Sequence, residues 1–259
     1  MRAKWALLFG FCLVASSLAF AQGGPPLITD DPGTPGNHNW EINVGIIADR
    51  RPTVREYQVP QLDINYGYGD RIQLKYQVPW LIRGEDGTAT RSGLGKSLFG
   101  VKWRFFENDE HGLQISTYPQ LEVDNPNHSA DRGLVDRGVR FLLPIEVTKK
   151  LGPVDVNGEV GHWFTQYGAD QWIFGLALGH QATQRLELLG EVYDFKTSDP
   201  GQADTTFDLG GRLKLKGPLV LLFMAGRSFR GPSSGQSQLI GYIGMQFLIS
   251  SRQKTPPAP

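Results

Sequence analysis

The chain has 259 residues, with 26 basic and 26 acidic side chains, 32 glycines and 17 prolines. So many helix-breaking residues argue against a helical protein, while 40% hydrophobic and 11% aromatic residues are too many for a disordered chain. The formal net charge of zero removes the diffuse basic field that nucleic-acid binding requires, so we expect no nucleic-acid partner. These facts favour an ordered β protein.

The first 21 residues have the composition of a secretory signal peptide. Arg2 and Lys4 precede an uncharged apolar run, and Ala19 and Ala21 give the small-residue pattern of a cleavage site. A transmembrane anchor is the alternative, but the run is shorter than the ~20 residues that span a bilayer. The single cysteine, Cys12, lies in this segment, so the exported chain has no thiol for a disulfide. We expect a protein of the bacterial envelope.

Many segments alternate between apolar and polar residues, which is the period of a β-strand. In the third segment Ile72 and Leu74 fall on one face, whereas Gln73 and Lys75 fall on the other. Pro60 breaks the alternation of the second segment and predicts a bulge there. Twelve such segments occur, at about 38–50, 54–67, 70–82, 94–107, 111–123, 137–150, 153–166, 169–182, 184–197, 203–216, 217–229 and 237–250.

The connections between these segments alternate in length. Those after even-numbered segments are tight, such as Gly67 to Asp70, whereas several after odd-numbered segments are long and polar, such as Gly84 to Gly93 and Asp124 to Asp136. This is the pattern of an outer-membrane barrel with short periplasmic turns and longer extracellular loops. We therefore predict an all-β fold, a transmembrane antiparallel β-barrel of about 12 strands over residues 38–250, in the bacterial outer membrane.

Aromatic residues occur where the two membrane interfaces of such a barrel lie. Rings at these positions form girdles in outer-membrane barrels, although ordinary core packing is the alternative interpretation. The pattern assigns Trp40, Tyr66 and Phe105 to the turn rim, and Trp80, Trp163 and Trp172 to the loop rim.

Two segments flank the predicted barrel. Residues 22–37 are rich in proline and glycine and lack alternation, and we expect them to lie at or within the periplasmic mouth as a partial plug, with a disordered leader as the alternative. Residues 251–259 form a proline-containing tail that we expect to be disordered. The long loops at 84–93 and 124–136 are candidates to fold over the other mouth as a gate.

If the apolar face meets lipid, the polar face must line the lumen. Both charge signs are interleaved on it, so they can neutralise one another in a narrow, salt-bridged interior. They can also line a selective pathway, and the sequence leaves both interpretations open. The predicted lumen-lining residues are Glu41, Asn43, Asp63, Asn65, Gln73, Lys75, Lys102, Arg104, Glu122, Arg140, Glu146, Asp155, Glu159, Glu187, Glu191, Asp208, Arg212 and Lys214.

Signals for catalysis or metal binding are weak. None of the five histidines has the spacing of a zinc ligand pair, and Asp30 and Asp31 suit a turn better than a calcium site. His162 together with a serine of another strand is the nearest candidate for a hydrolase on the barrel wall, but no flanking nucleophile motif accompanies it. We predict no metal, no cofactor and no enzymatic activity.

Several motifs of the first half resemble the outer-membrane transporters of the meta-pathway phenol degradation family. They are PPLITDDPGTPG (25–36), WEIN (40–43), LDINYG (62–67), LKYQVPW (74–80), GLG (93–95), GVKWRF (100–105) and STYPQ (116–120). The resemblance covers most of residues 25–123, and the second half agrees only in its strand pattern. It implies a barrel in the outer membrane and passage of aromatic or hydrophobic compounds.

The sequence thus predicts a channel or transporter for the passive passage of small, aromatic or hydrophobic, molecules. A structural or adhesive barrel with a closed lumen is the alternative, and a barrel-wall hydrolase is a weaker one. Residues 242–249 resemble the terminal assembly signal of outer-membrane barrels but end on Ile249 rather than an aromatic residue. The expected partners are outer-membrane lipid, a small-molecule solute and the barrel-assembly machinery.

Overall fold

A computed structural model describes residues 24–197, 203–230 and 235–251; the predicted signal peptide and all but the first residue of the predicted tail lie outside these ranges. Fourteen strands form one antiparallel sheet. They are β1 (Trp40–Arg50), β2 (Val54–Tyr68), β3 (Ile72–Glu85), β4 (Arg91–Leu94), β5 (Ser97–Asn108), β6 (Leu113–Thr117), β7 (Gln120–Val123), β8 (Arg140–Leu151), β9 (Val154–Thr165), β10 (Gln171–Gln181), β11 (Leu186–Thr197), β12 (Ala203–Lys214), β13 (Leu219–Ser228) and β14 (Leu239–Ile249).

The sheet closes on itself. β1 pairs with β14 along its whole length, from Trp40 opposite Ile249 to Arg50 opposite Leu239. Strands β4 and β5 pair one after the other with β3, and β6 and β7 both pair with β5 and β8, so each couple is one interrupted barrel strand. The result is a closed twelve-stranded antiparallel barrel, which confirms the predicted fold.

The interruptions are local. Residues 95 and 96 separate β4 from β5, yet the Gly95 amide donates to the Pro79 carbonyl at 2.8 Å. Pro60 has no N–H to give to the ladder, and the register of β2 against β3 shifts between Gln58 and Gln61. The predicted bulge at Pro60 is therefore confirmed.

The outer surface is apolar, and aromatic rings lie near both rims. Trp40 packs on Tyr66 with ring centroids 4.6 Å apart at the turn end, and Phe105, Trp80 and Trp172 are also exposed to the outside. These five positions agree with the predicted girdles.

The prediction for the sixth girdle residue, Trp163, is wrong. Its side chain is only 8% exposed and points into the barrel. In β9 the exposed residues Val160 and Phe164 face outward, so the odd-numbered Glu159 and Trp163 share the inner face.

The two long loops behave differently. β3 and β4 extend the sheet beyond the barrel wall, so residues 86–90 form an exposed hairpin tip and do not cover the mouth, contrary to the prediction for 84–93. The loop between β7 and β8 bends inward instead, with Leu134 only 2% exposed and the Ser129 hydroxyl donating to the Leu94 carbonyl at 2.6 Å. In the described residues, no helix is long and apolar enough to cross a membrane.

The outward face of β8 provides a test of the membrane position. Ile145 is near the middle of the strand and 48% exposed, and Leu151 ends it at the turn rim on the same face. We predict that Ile145→Arg destabilises the barrel in lipid vesicles by ~2–4 kcal/mol and Leu151→Arg by ~0–1 kcal/mol, because the cost of a lipid-facing charge falls toward the interface. Urea unfolding followed by tryptophan fluorescence measures both values. Equal costs would contradict this placement in the bilayer.

Candidate functional site

The barrel lumen contains the chain segment that precedes β1. Leu27 packs against inward side chains of β11, β13 and β14, including Leu189, Leu222 and Tyr242. Thr29 and Asp31 are fully buried. We call residues 24–33 the lumenal segment.

Two glutamates of the barrel wall bind the backbone of the lumenal segment. The Glu191 carboxylate of β11 accepts hydrogen bonds from the amides of Ile28 at 2.9 Å and Thr29 at 2.6 Å, and from the Thr29 hydroxyl at 2.6 Å. Glu159 of β9 accepts one from the Asp30 amide at 3.0 Å. Glu191 thus accepts three hydrogen bonds from the segment and Glu159 one, so these two glutamates hold the segment.

Lys102 of β5 holds the segment from the opposite wall. Its ammonium lies 2.5 Å from the Asp30 carboxylate, donates to the Asp31 carbonyl, and lies 3.9 Å from Glu146 of β8. The same ammonium is 4.6 Å from the centre of the buried Tyr118 ring, a cation–π distance. Lys102 therefore connects the lumenal segment to Glu146 of β8 and to Tyr118, which lies between β6 and β7.

A third contact lies at the start of the described chain. The Arg212 guanidinium of β12 donates to the carbonyls of Gly24 and Pro25 at 3.2 and 3.1 Å. It also pairs with Glu187 of β11 at 3.4 Å. Arg212 thus combines a carboxylate of the wall with two backbone carbonyls of the segment.

The inner faces of β1, β2 and β3 form a connected polar network. The Lys75 ammonium lies 3.5 Å from the Asp63 carboxylate. This carboxylate also accepts hydrogen bonds from the side-chain amides of Asn65 at 3.2 Å and Asn43 at 3.3 Å. Gln73 continues the chain of contacts to Asn65 at 2.8 Å. Opposite charges and side-chain amides bind one another here, in keeping with the interleaved sequence, although the Asn43 side-chain oxygen has no hydrogen-bond partner among the described residues.

Other predicted lumen residues lie near the ends or have fewer contacts. Glu122 and Arg140 lie at the loop end, 3.9 Å apart. Both carboxylate oxygens of Asp208 are buried without a hydrogen-bond partner among the described residues. The residue opposite Asp208 on β11 is Glu191, whose own carboxylate binds the lumenal segment. Of the remaining predicted residues, Glu41 is buried beside Asn43, while Arg104, Asp155 and the exposed Lys214 lie toward the turn end.

The sequence pattern does not predict one apolar group of side chains that face the lumen. Leu142, Trp163, Ile173 and Tyr193 pack together at the loop end of the lumen, and none is more than 8% exposed. We call these four residues the aromatic cluster. Their strands carry apolar residues on both faces, as in the run from Trp172 to Leu178, so alternation gives no contrast that would identify the inward ones.

His162 does not face the lumen. Its ring packs against Phe164 and Trp172 with centroids 4.7 and 4.6 Å away, and its Nε2 lies 3.6 Å from Asp170. The other nitrogen, Nδ1, is buried without a hydrogen-bond partner among the described residues, so no serine is bonded to the ring there. Within residues 24–197, 203–230 and 235–251, no three or more His, Cys, Asp or Glu side chains come together in a way that could hold a metal ion.

Comparisons with known proteins find relatives in fold. A scan against protein-family models and a search of curated proteins give no match to this sequence. Among solved structures, an outer membrane channel from Pseudomonas putida F1 is similar with a TM-score of 0.69 at 13% identity, over 88% of this chain and 100% of that one. The KdgM porin gives 0.55 at 10% identity, over 79% and 98%. The translocator domain of the autotransporter NalP from Neisseria meningitidis gives 0.57 at 9% identity, over 82% and 89%.

These similarities establish the architecture of an outer-membrane β-barrel. Together with the apolar outer surface they agree with the predicted location in the bacterial outer membrane. The specific resemblance to the phenol degradation family stays a prediction, because identities near 10% carry fold and not function.

The fit of the lumenal segment against the wall is close enough to test with one methyl group. A Cβ at Gly175 would overlap the Thr29 hydroxyl, whereas one at Gly158, on the outer face of the adjacent strand, would meet no atom within 4 Å. We predict that Gly175→Ala accelerates hydrogen exchange of the Ile28 and Thr29 amides by roughly tenfold or more, since overpacking costs ~1–3 kcal/mol. Mass spectrometry of the protein in nanodiscs measures this, with Gly158→Ala as the control. Equal exchange in both variants would show that the segment does not depend on this contact.

Proposed function

We propose that the barrel is a passive channel for small molecules, and that its solutes are aromatic or otherwise hydrophobic. The aromatic cluster supports this proposal most directly. Small-molecule sites are mostly apolar with a few polar groups that fix orientation, and the loop end of the lumen combines such a surface with Arg140, whose guanidinium carbon lies 4.4 Å from the centre of the Trp163 ring.

The depth of the aromatic cluster adds to the argument. Ile173 lies nearer the loop mouth than the lumenal segment does, because Gly175, which faces Thr29, comes two residues later in β10. Tyr193 pairs with Gly175 and therefore lies at the level of Thr29. A solute that moves from the loop mouth toward the turns therefore contacts Ile173 before it meets Tyr193 and the segment.

The resemblance to the phenol degradation family supports the same solute class. Its longest motif, residues 25–36, includes nearly all of the lumenal segment, so the likeness involves the lumen as well as the wall. We also propose the untested parts of the sequence interpretation: a cleaved signal peptide at 1–21, a disordered tail at 251–259, a role for the predicted lumen residues in the path, and assembly by the barrel-assembly machinery. No catalytic step is part of this function.

A structural barrel with a closed lumen is the competing function. The lumenal segment and the buried aromatic cluster together fill much of the interior, and this favours a closed resting state. The two functions differ in one measurable property, because a purely structural barrel does not accelerate the passage of any solute.

We predict that Trp163→Ala changes aromatic flux at least about threefold, in either direction, because the side chain faces the path, and that Trp172→Ala changes it little. Both residues are tryptophans near the loop rim of adjacent strands, but Trp172 is exposed on the lipid side. Uptake of radiolabelled phenol into proteoliposomes with lipopolysaccharide in the outer leaflet measures the effect, since plain phospholipid passes phenol unaided. A sugar of similar mass serves as the polar solute.

Two results would contradict the proposed function. Folded wild-type barrel that accelerates neither phenol nor the sugar would favour the structural alternative. Equal effects of the two tryptophan substitutions would show that the aromatic cluster does not line the path.

A further inference from the structure

A cavity of about 620 Å³ opens at the loop end of the lumen. It lies between the start of β8, the turn from β9 to β10 and the end of β11. Two arginines and one aspartate line it together with uncharged polar groups and a tyrosine ring. The residues that matter for the argument are Asp136, Arg137, Arg140, Tyr167 and Gln171.

Arg140 is held in position at the bottom of this cavity. Its guanidinium stacks on the Trp163 ring at 4.4 Å and donates to the Gln171 side-chain oxygen at 3.3 Å. These two contacts restrain the guanidinium, and the hydrogen bond to Gln171 is the one that the structure records for it among the described residues. Several of its five N–H donors therefore remain available in a preorganised fork.

The charge of Arg140 is only weakly compensated. Its nearest carboxylate, Glu122, is 3.9 Å away, and the Lys96 ammonium lies closer to the same carboxylate at 3.4 Å. At these distances Glu122 interacts with Lys96 more closely than with Arg140.

The second arginine of the cavity differs in this respect. Arg137 forms an ion pair with Asp131 at 2.5 Å. Hydrogen bonds from His128 and Arg137 hold the pKa of the Asp131 carboxyl below its ordinary value, so Asp131 is ionised at neutral pH. Arg137 therefore has a carboxylate at hydrogen-bonding distance, whereas the carboxylate paired with Arg140 is 3.9 Å away.

We propose that this cavity is a binding site for the carboxylate of a small amphipathic organic acid, with Arg140 as its anchor and with the apolar part of the acid against Tyr167 and the edge of the aromatic cluster. The proposal rests on the proposed channel function and names a solute class for it. A planar carboxylate matches the arginine fork in two parallel hydrogen bonds, which a neutral solute of the same shape cannot form.

The size and position of the cavity suit such a ligand. A volume of about 620 Å³ is within the range of small-molecule sites and holds a monocyclic acid with room for water. Because Arg140 lies directly on Trp163, a bound carboxylate places the rest of the molecule at the loop side of the aromatic cluster.

The first experiment compares two ligands on the unaltered protein. Phenylacetate and phenylethanol share the aromatic ring and differ in charge, and calorimetry in nanodiscs at neutral pH measures the binding of each. We expect phenylacetate to bind at least about tenfold more tightly, since charge-assisted hydrogen bonds are the stronger class. Equal affinities would overturn the proposal, and this comparison requires no substitution in the protein.

The second experiment uses variants whose folding is verified by heat-modifiable gel migration. Arg140→Gln is expected to lose the preference for phenylacetate and to leave phenylethanol binding within about threefold, and Arg140→Lys to restore it in part because only the charge returns. Arg55→Gln, which removes an exposed arginine of β2 at the loop rim, is the matched control. Unchanged phenylacetate affinity in Arg140→Gln would overturn the anchor role.

The channel function and the acid site can fail separately. Accelerated flux of phenol without selective binding of phenylacetate would refute the site and keep the channel. Selective binding without flux of any solute would keep the site and refute the channel.

Discussion

Closure of the hydrogen-bond ladder between β1 and β14 is the constraint on which the rest of this molecule depends. An open edge would leave a row of unpaired N–H and C=O groups in hydrocarbon, at a cost of several kcal/mol each, so the first and last strands must pair along their length. The eleven facing positions from Trp40 to Arg50 meet this requirement. Once the sheet is closed, the side chain of every strand residue faces either the lipid or the lumen. The alternation along each strand therefore decides which residues must be apolar and which can be polar.

The polar side chains of the lumen find hydrogen-bond and ion-pair partners in two ways. Polar side chains must find partners once they are enclosed, and on β1, β2 and β3 they find one another. Around Glu191, Glu159 and Lys102 they find the backbone and side chains of the lumenal segment instead. These side chains therefore bind the lumenal segment and do not face an open aqueous path at these positions. Removal of the segment would leave several buried charges with fewer partners, so segment and wall stabilise each other.

The sequence predicts the wall well and the lumen only in part, for a physical reason. Where polar and apolar residues contrast, as in Gln73 and Leu74, the period of two assigns both the strand and its faces. Where both faces are apolar, as around Ile173, the pattern shows a strand but not its inner side, and for this reason it places Trp163 wrongly on the lipid side. Contacts between residues far apart in sequence, such as Thr29 and Glu191 at a separation of 162, leave no local signal at all.

The vertical order of these features has a consequence for what can pass. From the loop end, a solute meets the polar cavity at Arg140, then the buried Trp163 and Ile173, and then Tyr193 and the lumenal segment at the level of Thr29. An inorganic ion that passes Arg140 would have to lose water against the apolar side chains, whereas an aromatic ring exchanges one apolar contact for another. The cluster thus favours solutes that carry an apolar ring through the free energy of desolvation, and the pore diameter need not discriminate between solutes of the same size.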